Sequence, residues 1–190
     1  MVRAVTPARI AAGALAGFAW AGAFRDWMVH LAGDASVTTW QTPVFVLAPG
    51  AAIGGLLGYA SGLRRAGRPV PRALVAAPLI FGVALFYPPN LLRVFRTGEG
   101  TGALGIALVA MAGAYALAGR GRPAARVATG VLAVAGVVGT AFTPAGVNPD
   151  LGLGSPEGLW VALQGSALVA LFAIAATAPY GRRTASGAQL

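Results

Sequence analysis

Long apolar runs, separated by short polar or arginine-rich segments, form the main pattern of this chain. A transmembrane helix needs about 20 predominantly apolar residues to cross the hydrocarbon layer. The pattern therefore predicts an all-α, polytopic integral membrane protein: a compact bundle of about six transmembrane helices that forms a single domain over residues 1–180. The predicted spans are residues 10–31, 43–63, 72–90, 101–119, 125–142 and 157–178, and residues 181–190 are predicted to be a disordered cytoplasmic tail.

Composition supports a membrane location. Of the 190 residues, 57% are hydrophobic and only 10% are charged, and the mean hydropathy is +0.72. Soluble domains contain roughly 25% charged residues. The apolar runs occupy most of the chain, so no segment is left for a soluble domain. All 14 basic residues are arginines, and the chain is rich in Ala, Gly and Pro, which is typical of coding in GC-rich bacteria.

The charged residues separate between the two ends of the predicted spans. With a cytoplasmic N-terminus, eleven of the 14 arginines fall in cytoplasmic segments, and all 5 acids fall on the outer side. Cytoplasmic loops of membrane proteins carry an excess of Lys and Arg. The distribution therefore predicts a protein of the bacterial inner (cell) membrane with both termini in the cytoplasm. The first apolar run is interpreted as an uncleaved span rather than a signal peptide.

The second predicted span carries a glycine at every fourth position: Gly50, Gly54, Gly58 and Gly62. Glycines at this spacing line one helix face and allow a neighbouring backbone to approach closely. We call this pattern the glycine zipper. It predicts tight helix packing, either within the bundle or between the subunits of a homo-oligomer.

Three polar residues, Arg25, Asp26 and the single histidine His30, interrupt the end of the first span. Asp26 and His30 continue a stripe of alanines at alternating spacings of three and four residues, which predicts a helix–helix seam. The alanines are Ala12, Ala16, Ala19 and Ala23. Three interpretations stay open: a packed seam, a polar cavity open to the outside, or contact with lipid headgroups.

Other polar residues on the predicted outer side could complete such a cavity. Glu157 begins the sixth span, and Gln164 lies about two turns deeper on the same face. Arg93 and Arg96 either contact phosphate headgroups or form the basic rim of an anion pocket. The predicted substrate-binding set is Arg25, Asp26, His30, Arg93, Arg96, Glu157 and Gln164.

Three of the four tryptophans, Trp27, Trp40 and Trp160, fall near the predicted outer boundary of the membrane. Tryptophan is enriched at membrane–water interfaces, where its ring lies at the level of the headgroups. These residues are therefore predicted to form an aromatic belt.

Missing residue types exclude several classes of function. One histidine and no cysteine exclude a His/Cys metal cluster, bis-histidine haem ligation and disulfides. No glycine-rich phosphate loop is present. We therefore expect no metal and no cofactor. The net charge of +9 is explained by membrane topology, so no nucleic-acid partner is expected.

Three functions fit this pattern. The first is a transporter, channel or solute-binding membrane component with a polar outer vestibule. The second is a structural or accessory subunit without a small-molecule site. The third is a membrane-embedded enzyme that acts on a lipid or isoprenoid in an apolar pocket open laterally to lipid. Asp26 or Glu157 would lie at the polar end of this pocket, and Asp26 is the first candidate for the general acid. Enzymatic activity is the less favoured expectation, and the expected partners are the lipid bilayer and either a second copy or another membrane subunit.

Overall fold

The computed structural model describes residues 6–33, 36–86, 101–119 and 121–180. Most of these residues belong to six helices, and the described part of the chain contains no β-strand. The predicted all-α class is therefore confirmed. The helices are α1 (Pro7–Ala32), α2 (Ala48–Arg65), a 3-10 helix (Arg72–Phe86), α3 (Thr101–Leu117), α4 (Pro123–Val147) and α5 (Pro156–Ala175). The predicted tail at 181–190 lies outside the described residues.

Proline occupies the first position of several helices, where it costs no hydrogen bond and its fixed φ suits the helix. Pro7, Pro123 and Pro156 begin α1, α4 and α5. The start of α5 is also capped, because the Ser155 hydroxyl oxygen accepts a hydrogen bond from the Gly158 backbone N–H at 3.0 Å. A π-helical turn, Pro43–Leu47, leads directly into α2. Local sequence thus determines where these helices start.

Among the residues that the structure describes, three helices are long and apolar enough to cross a membrane: Pro43–Arg65, Pro123–Val147 and Pro156–Tyr180. They correspond to three of the six predicted spans. Two further apolar helices are shorter, at Arg72–Gly82 and Gly102–Leu117. The three long helices support membrane association.

The surface of α4 also suits an apolar environment. Its exposed side chains include Val127, Val131, Val134, Val138 and Phe142. Large contiguous apolar patches are rare on soluble monomers and mark contact with a membrane or another protein. This face therefore provides a second observation in favour of membrane association.

Contacts between the helices define two ends of the bundle. At one end, the start of α1 adjoins the end of α2, and the Arg64 guanidinium donates a hydrogen bond to the Ala178 carbonyl just after α5, at 3.2 Å. At the other end, the Trp27 indole donates to the Val161 carbonyl at 2.8 Å. We call the first the arginine end, with Arg9, Arg64, Arg65, Arg68, Arg72, Arg122 and Arg126. The second is the acidic end, with Asp26, Asp150 and Glu157.

Five aromatic side chains form the centre of the core, which we call the aromatic cluster. Trp20, Phe24 and Trp27 lie on one face of α1, whereas Phe81 comes from the 3-10 helix and Phe172 from α5. The Trp20 ring centroid lies 4.6 Å from that of Phe172 and 5.2 Å from that of Phe81. The cluster therefore joins the 3-10 helix and α5 to α1.

The predicted aromatic belt is wrong for Trp27, which is only 4% exposed. Its ring packs against Phe24, and its N–H is bonded to the α5 backbone, so the side chain belongs to the core. Trp40 and Trp160 are 88% and 65% exposed. The positions of all three residues relative to the ends of the predicted spans indicated one boundary, but they do not determine which way each side chain points.

Candidate functional site

The contact between α1 and α2 is made by glycines on both helices. A Cβ atom added to Gly54 would lie 2.9 Å from the Gly17 Cα, and one added to Gly13 would lie 3.0 Å from the Gly58 Cα. A Cβ on Gly50 would lie 2.7 Å from the Gly17 carbonyl oxygen. No side chain fits between the two backbones at these points.

Three glycines of the zipper, Gly50, Gly54 and Gly58, thus face α1 within the same chain. The fourth, Gly62, is buried one turn further along α2. Their partners on α1, Gly13 and Gly17, were not singled out from the sequence. The small-residue spacing of four between these two glycines is the signal that could have found them.

An apolar groove of about 420 Å³ lies beside this glycine contact, between α1, α2 and α5. It exists because the glycines contribute no side chains to the space next to Trp20 and Phe172. Ligand pockets in proteins typically measure about 300–1,000 Å³. Its lining residues are Gly13, Ala16, Gly17, Trp20, Gly50, Ile53, Gly54, Leu57, Gly58, Leu171, Phe172, Ala175 and Ala178.

The groove has a buried floor and an exposed mouth. Ile53 and Leu57 of α2 are buried and form the floor, whereas Ala16 of α1 and Leu171 and Ala175 of α5 are exposed at the mouth. The lining from Gly50 to Gly58 extends for roughly 12 Å along α2 at 1.5 Å per residue. The groove therefore opens sideways between helices, and none of the described residues that line it has a titratable side chain.

Two arginines flank the groove where it reaches the arginine end. Arg64 is bonded to Ala178, which is itself a lining residue. The Arg9 backbone carbonyl faces Gly58, another lining residue, so closely that a Cβ on Gly58 would lie 2.5 Å from it. Both arginine side chains are exposed, and no carboxylate of the described residues forms a salt bridge with either.

Asp26 and His30, the centre of the predicted outer site, lie on the exposed side of α1. The His30 Nδ1 is 3.7 Å from the Asp26 Oδ2, with side chains 42% and 61% exposed, respectively. The same Nδ1 is 3.0 Å from the Asp26 backbone carbonyl oxygen. The two residues therefore pair with each other at the surface.

Within the described part of this chain no helix packs on the predicted seam through these residues, because three of its alanines, Ala12, Ala16 and Ala19, are also exposed. The face of α1 that packs inside the bundle has the same alternating spacing of three and four residues. It is displaced by one residue along the chain, which corresponds to a rotation of about 100° around the helix axis. Its members are Gly13, Gly17, Trp20, Phe24, Trp27 and Leu31. Glycines that allow close approach and aromatics that bury large areas gain more from the interior than alanines do.

The other predicted site residues do not meet around Asp26 and His30. The Arg25 guanidinium donates to the Ser36 hydroxyl at 2.9 Å and to the Val37 carbonyl at 3.2 Å, so it holds the segment after α1. Glu157 is exposed in the first turn of α5, where the helix dipole favours a carboxylate. Arg93 and Arg96 lie outside the described residues.

Gln164 lies on the part of α5 that the predicted vestibule would use. Its Oε1 atom is buried and has no hydrogen-bond partner among the described residues. Next to it, a Cβ on Gly165 would lie 2.5 Å from the Trp27 Cε2 atom. The aromatic side chain thus packs directly against α5 at this level.

Neither a cluster of metal-ligating side chains among the described residues nor a similarity to a known protein indicates another site. Within the part of the chain that the structure describes, no group of three or more His, Cys, Asp or Glu side chains could hold a metal ion. Comparison with known proteins finds no matching family model, no matching curated protein and no matching solved structure. The groove and its arginine end are therefore the features from which function is inferred.

The exposure of Asp26 and His30 leads to a direct test. The chain has no cysteine, so single variants Asp26→Cys and His30→Cys can be labelled with a membrane-impermeant thiol reagent. We expect rapid labelling at both positions, and slow labelling of Val161→Cys, because Val161 is fully buried. Protection at positions 26 and 30 in a folded protein would show that another subunit or a packed seam covers this face.

Proposed function

We propose that this protein is a six-span protein of the bacterial inner membrane that binds a lipid or another long apolar molecule in the groove between α1, α2 and α5. Its role is that of a solute-binding membrane component, with both termini in the cytoplasm. The observation that carries this proposal is the apolar groove with its exposed lateral mouth.

The lining of the groove favours an apolar ligand over a water-soluble one. Cavities lined by apolar side chains stay dry and bind apolar molecules. Two of the three helices that form the groove, α2 and α5, belong to segments apolar enough to cross a membrane. A mouth between such helices opens onto the hydrocarbon, so a lipid chain could enter without passing through water.

The charge distribution favours a location of the groove in one leaflet of the bilayer. Arginine-rich ends face the cytoplasm in most membrane proteins. If this protein follows the rule, the arginine end is cytoplasmic and the groove occupies the inner half of the bilayer. A length of roughly 12 Å is less than half of the 30 Å hydrocarbon layer, so the groove would hold part of one acyl chain.

The groove does not favour the acid–base enzyme. None of its lining residues is titratable, and the weak catalytic candidates Asp26 and Glu157 lie at the opposite end of the bundle. It also differs from the predicted polar vestibule, since none of the described members of the predicted substrate-binding set lines it: Arg25, Asp26, His30, Glu157 and Gln164. We therefore assign ligand binding to the groove between α1, α2 and α5, and not to the outer vestibule that the sequence predicted.

Filling the mouth of the groove tests this proposal. Ala175→Phe and Ala16→Phe place a large side chain at exposed lining positions without entering the glycine contact. We expect the lipid retained by the detergent-purified protein, measured by native mass spectrometry, to fall at least fivefold. Ala135→Phe is the matched control, because Ala135 is exposed on α4 away from the groove. Equal lipid retention in all variants would contradict the proposal.

A further inference from the structure

We infer that the groove selects a phospholipid of net negative charge, whose acyl chain lies in the groove while Arg9 and Arg64 bind its phosphate. This inference rests on the proposed lipid-binding function and names the chemical class of its ligand. It joins two features that lie next to each other: an apolar groove, and two arginines, without a salt bridge to any described carboxylate, where the groove reaches the arginine end.

The fold brings the two arginines together from distant parts of the chain. Arg9 lies in the first turn of α1, and Arg64 lies in the last turn of α2. The glycine contact holds these helix ends together, because Gly58 of α2 meets the Arg9 backbone. Each arginine therefore lies within one or two turns of a lining residue.

The chemistry of arginine suits a phosphate at this position. A guanidinium carries five N–H donors in a planar fork that matches a phosphate. Arg64 uses one nitrogen, Nη1, to bond the Ala178 carbonyl, which fixes the group beside the groove and leaves further N–H donors for a ligand. No described carboxylate competes for either arginine.

The positive charges at this end together explain the selectivity, and Arg9 and Arg64 are the two that flank the groove. Arg65 and Arg68 are also exposed beside Arg64, and the described acids lie at the acidic end. A lipid such as phosphatidylcholine would bring a quaternary ammonium group into this positive field, whereas phosphatidylglycerol would bring only its phosphate. Each basic residue close to an anionic lipid surface is worth about a fivefold gain in binding.

Competition between two lipids tests the inference. The full-length protein is reconstituted in vesicles of equal parts phosphatidylglycerol and phosphatidylcholine, extracted gently, and its bound lipids are counted by native mass spectrometry. We expect phosphatidylglycerol to be preferred. The double variant R9Q/R64Q is expected to reduce the preference roughly 25-fold, because each arginine contributes about fivefold. The single variants R9Q and R64Q should each reduce it about fivefold. Their control is R122Q, which removes one exposed charge from the same end but away from the groove, and should change the preference less than twofold.

The outcomes separate this inference from the proposed function. If Ala175→Phe removes bound lipid but the wild type shows no preference for phosphatidylglycerol, the groove binds lipid and the headgroup assignment is wrong. An equal loss of preference in R9Q, R64Q and R122Q would also overturn the assignment, because it would reflect only general attraction to the arginine end. If Ala175→Phe leaves lipid retention unchanged, the proposed function fails as well.

Discussion

Replacement of Trp27 by alanine is expected to lower the free energy of unfolding by about 3–5 kcal/mol, the usual cost of truncating a buried tryptophan. Trp27 is buried against Phe24 and Gly165, and its indole N–H bonds the Val161 carbonyl. The change therefore creates a cavity and removes the hydrogen bond between α1 and α5. The aromatic cluster would lose its contact with the start of α5.

Unfolding by sodium dodecyl sulfate in mixed micelles, followed by circular dichroism, measures this loss. Trp27→Phe keeps most of the ring volume but removes the N–H, so it should cost only about 1–3 kcal/mol for the unpaired carbonyl. Trp40→Ala is the control, because this exposed side chain should change stability by at most about 0.5 kcal/mol. Equal effects of Trp27→Ala and Trp40→Ala would show that Trp27 is not in the core.

The second large effect is expected at the glycine contact. Gly54→Ala should destabilise the protein by about 1–3 kcal/mol, the usual cost of overpacking, although alanine is intrinsically the better helix former. Its methyl group would meet the Gly17 Cα at 2.9 Å. Because the obstructing atoms belong to the backbone, α1 and α2 would have to move apart.

Gly139→Ala provides the matched control in α4, where a Cβ atom would meet nothing within 4 Å. This substitution should be neutral or should stabilise the protein by about 0.5–1 kcal/mol through helix propensity. The same unfolding assay measures both variants. If Gly54→Ala were as stable as Gly139→Ala, the close approach of α1 and α2 would be refuted.

Much of the helical layout could be predicted from the chain alone. Apolar runs indicated the helices, and residues such as Ser155 and Pro156 marked the start of α5 through local hydrogen bonding and proline geometry. These signals are local, so they do not depend on which helices become neighbours. The glycine spacing of α2 likewise predicted a close contact without naming its partner.

The phase of α1 could not be predicted reliably, because two adjacent stripes of the helix have the same spacing. The alanine stripe ends in Asp26 and His30, whereas the neighbouring stripe contains Gly13, Gly17 and the aromatic residues. Only the packing of α2 and α5 decides between them. The polar pair looked like the more informative feature, but its exposure on the surface leaves it a weak interaction.

The groove was unpredictable for a related reason. Because glycine has no side chain, the contact between α1 and α2 leaves space beside it. This space stays open only if a third helix passes along it without filling it. Here Leu171 and Ala175 of α5 border that space, and Trp20 closes one part of it. Such a cavity depends on three segments that are far apart in the sequence.

Photolabelling provides the most direct test of the claim that the groove holds a lipid chain. Phosphatidylglycerol with a diazirine in its acyl chain would be added in increasing mole fraction to vesicles that contain the protein, and the labelled residues would be mapped by mass spectrometry. The exposed α4 residues Val131 and Val134 serve as the reference for unspecific lipid contact. We expect labelling at Ile53, Leu57 and Leu171 to saturate at a low mole fraction, while labelling of α4 increases linearly. Linear labelling at both sites, with no excess in the groove, would contradict the account.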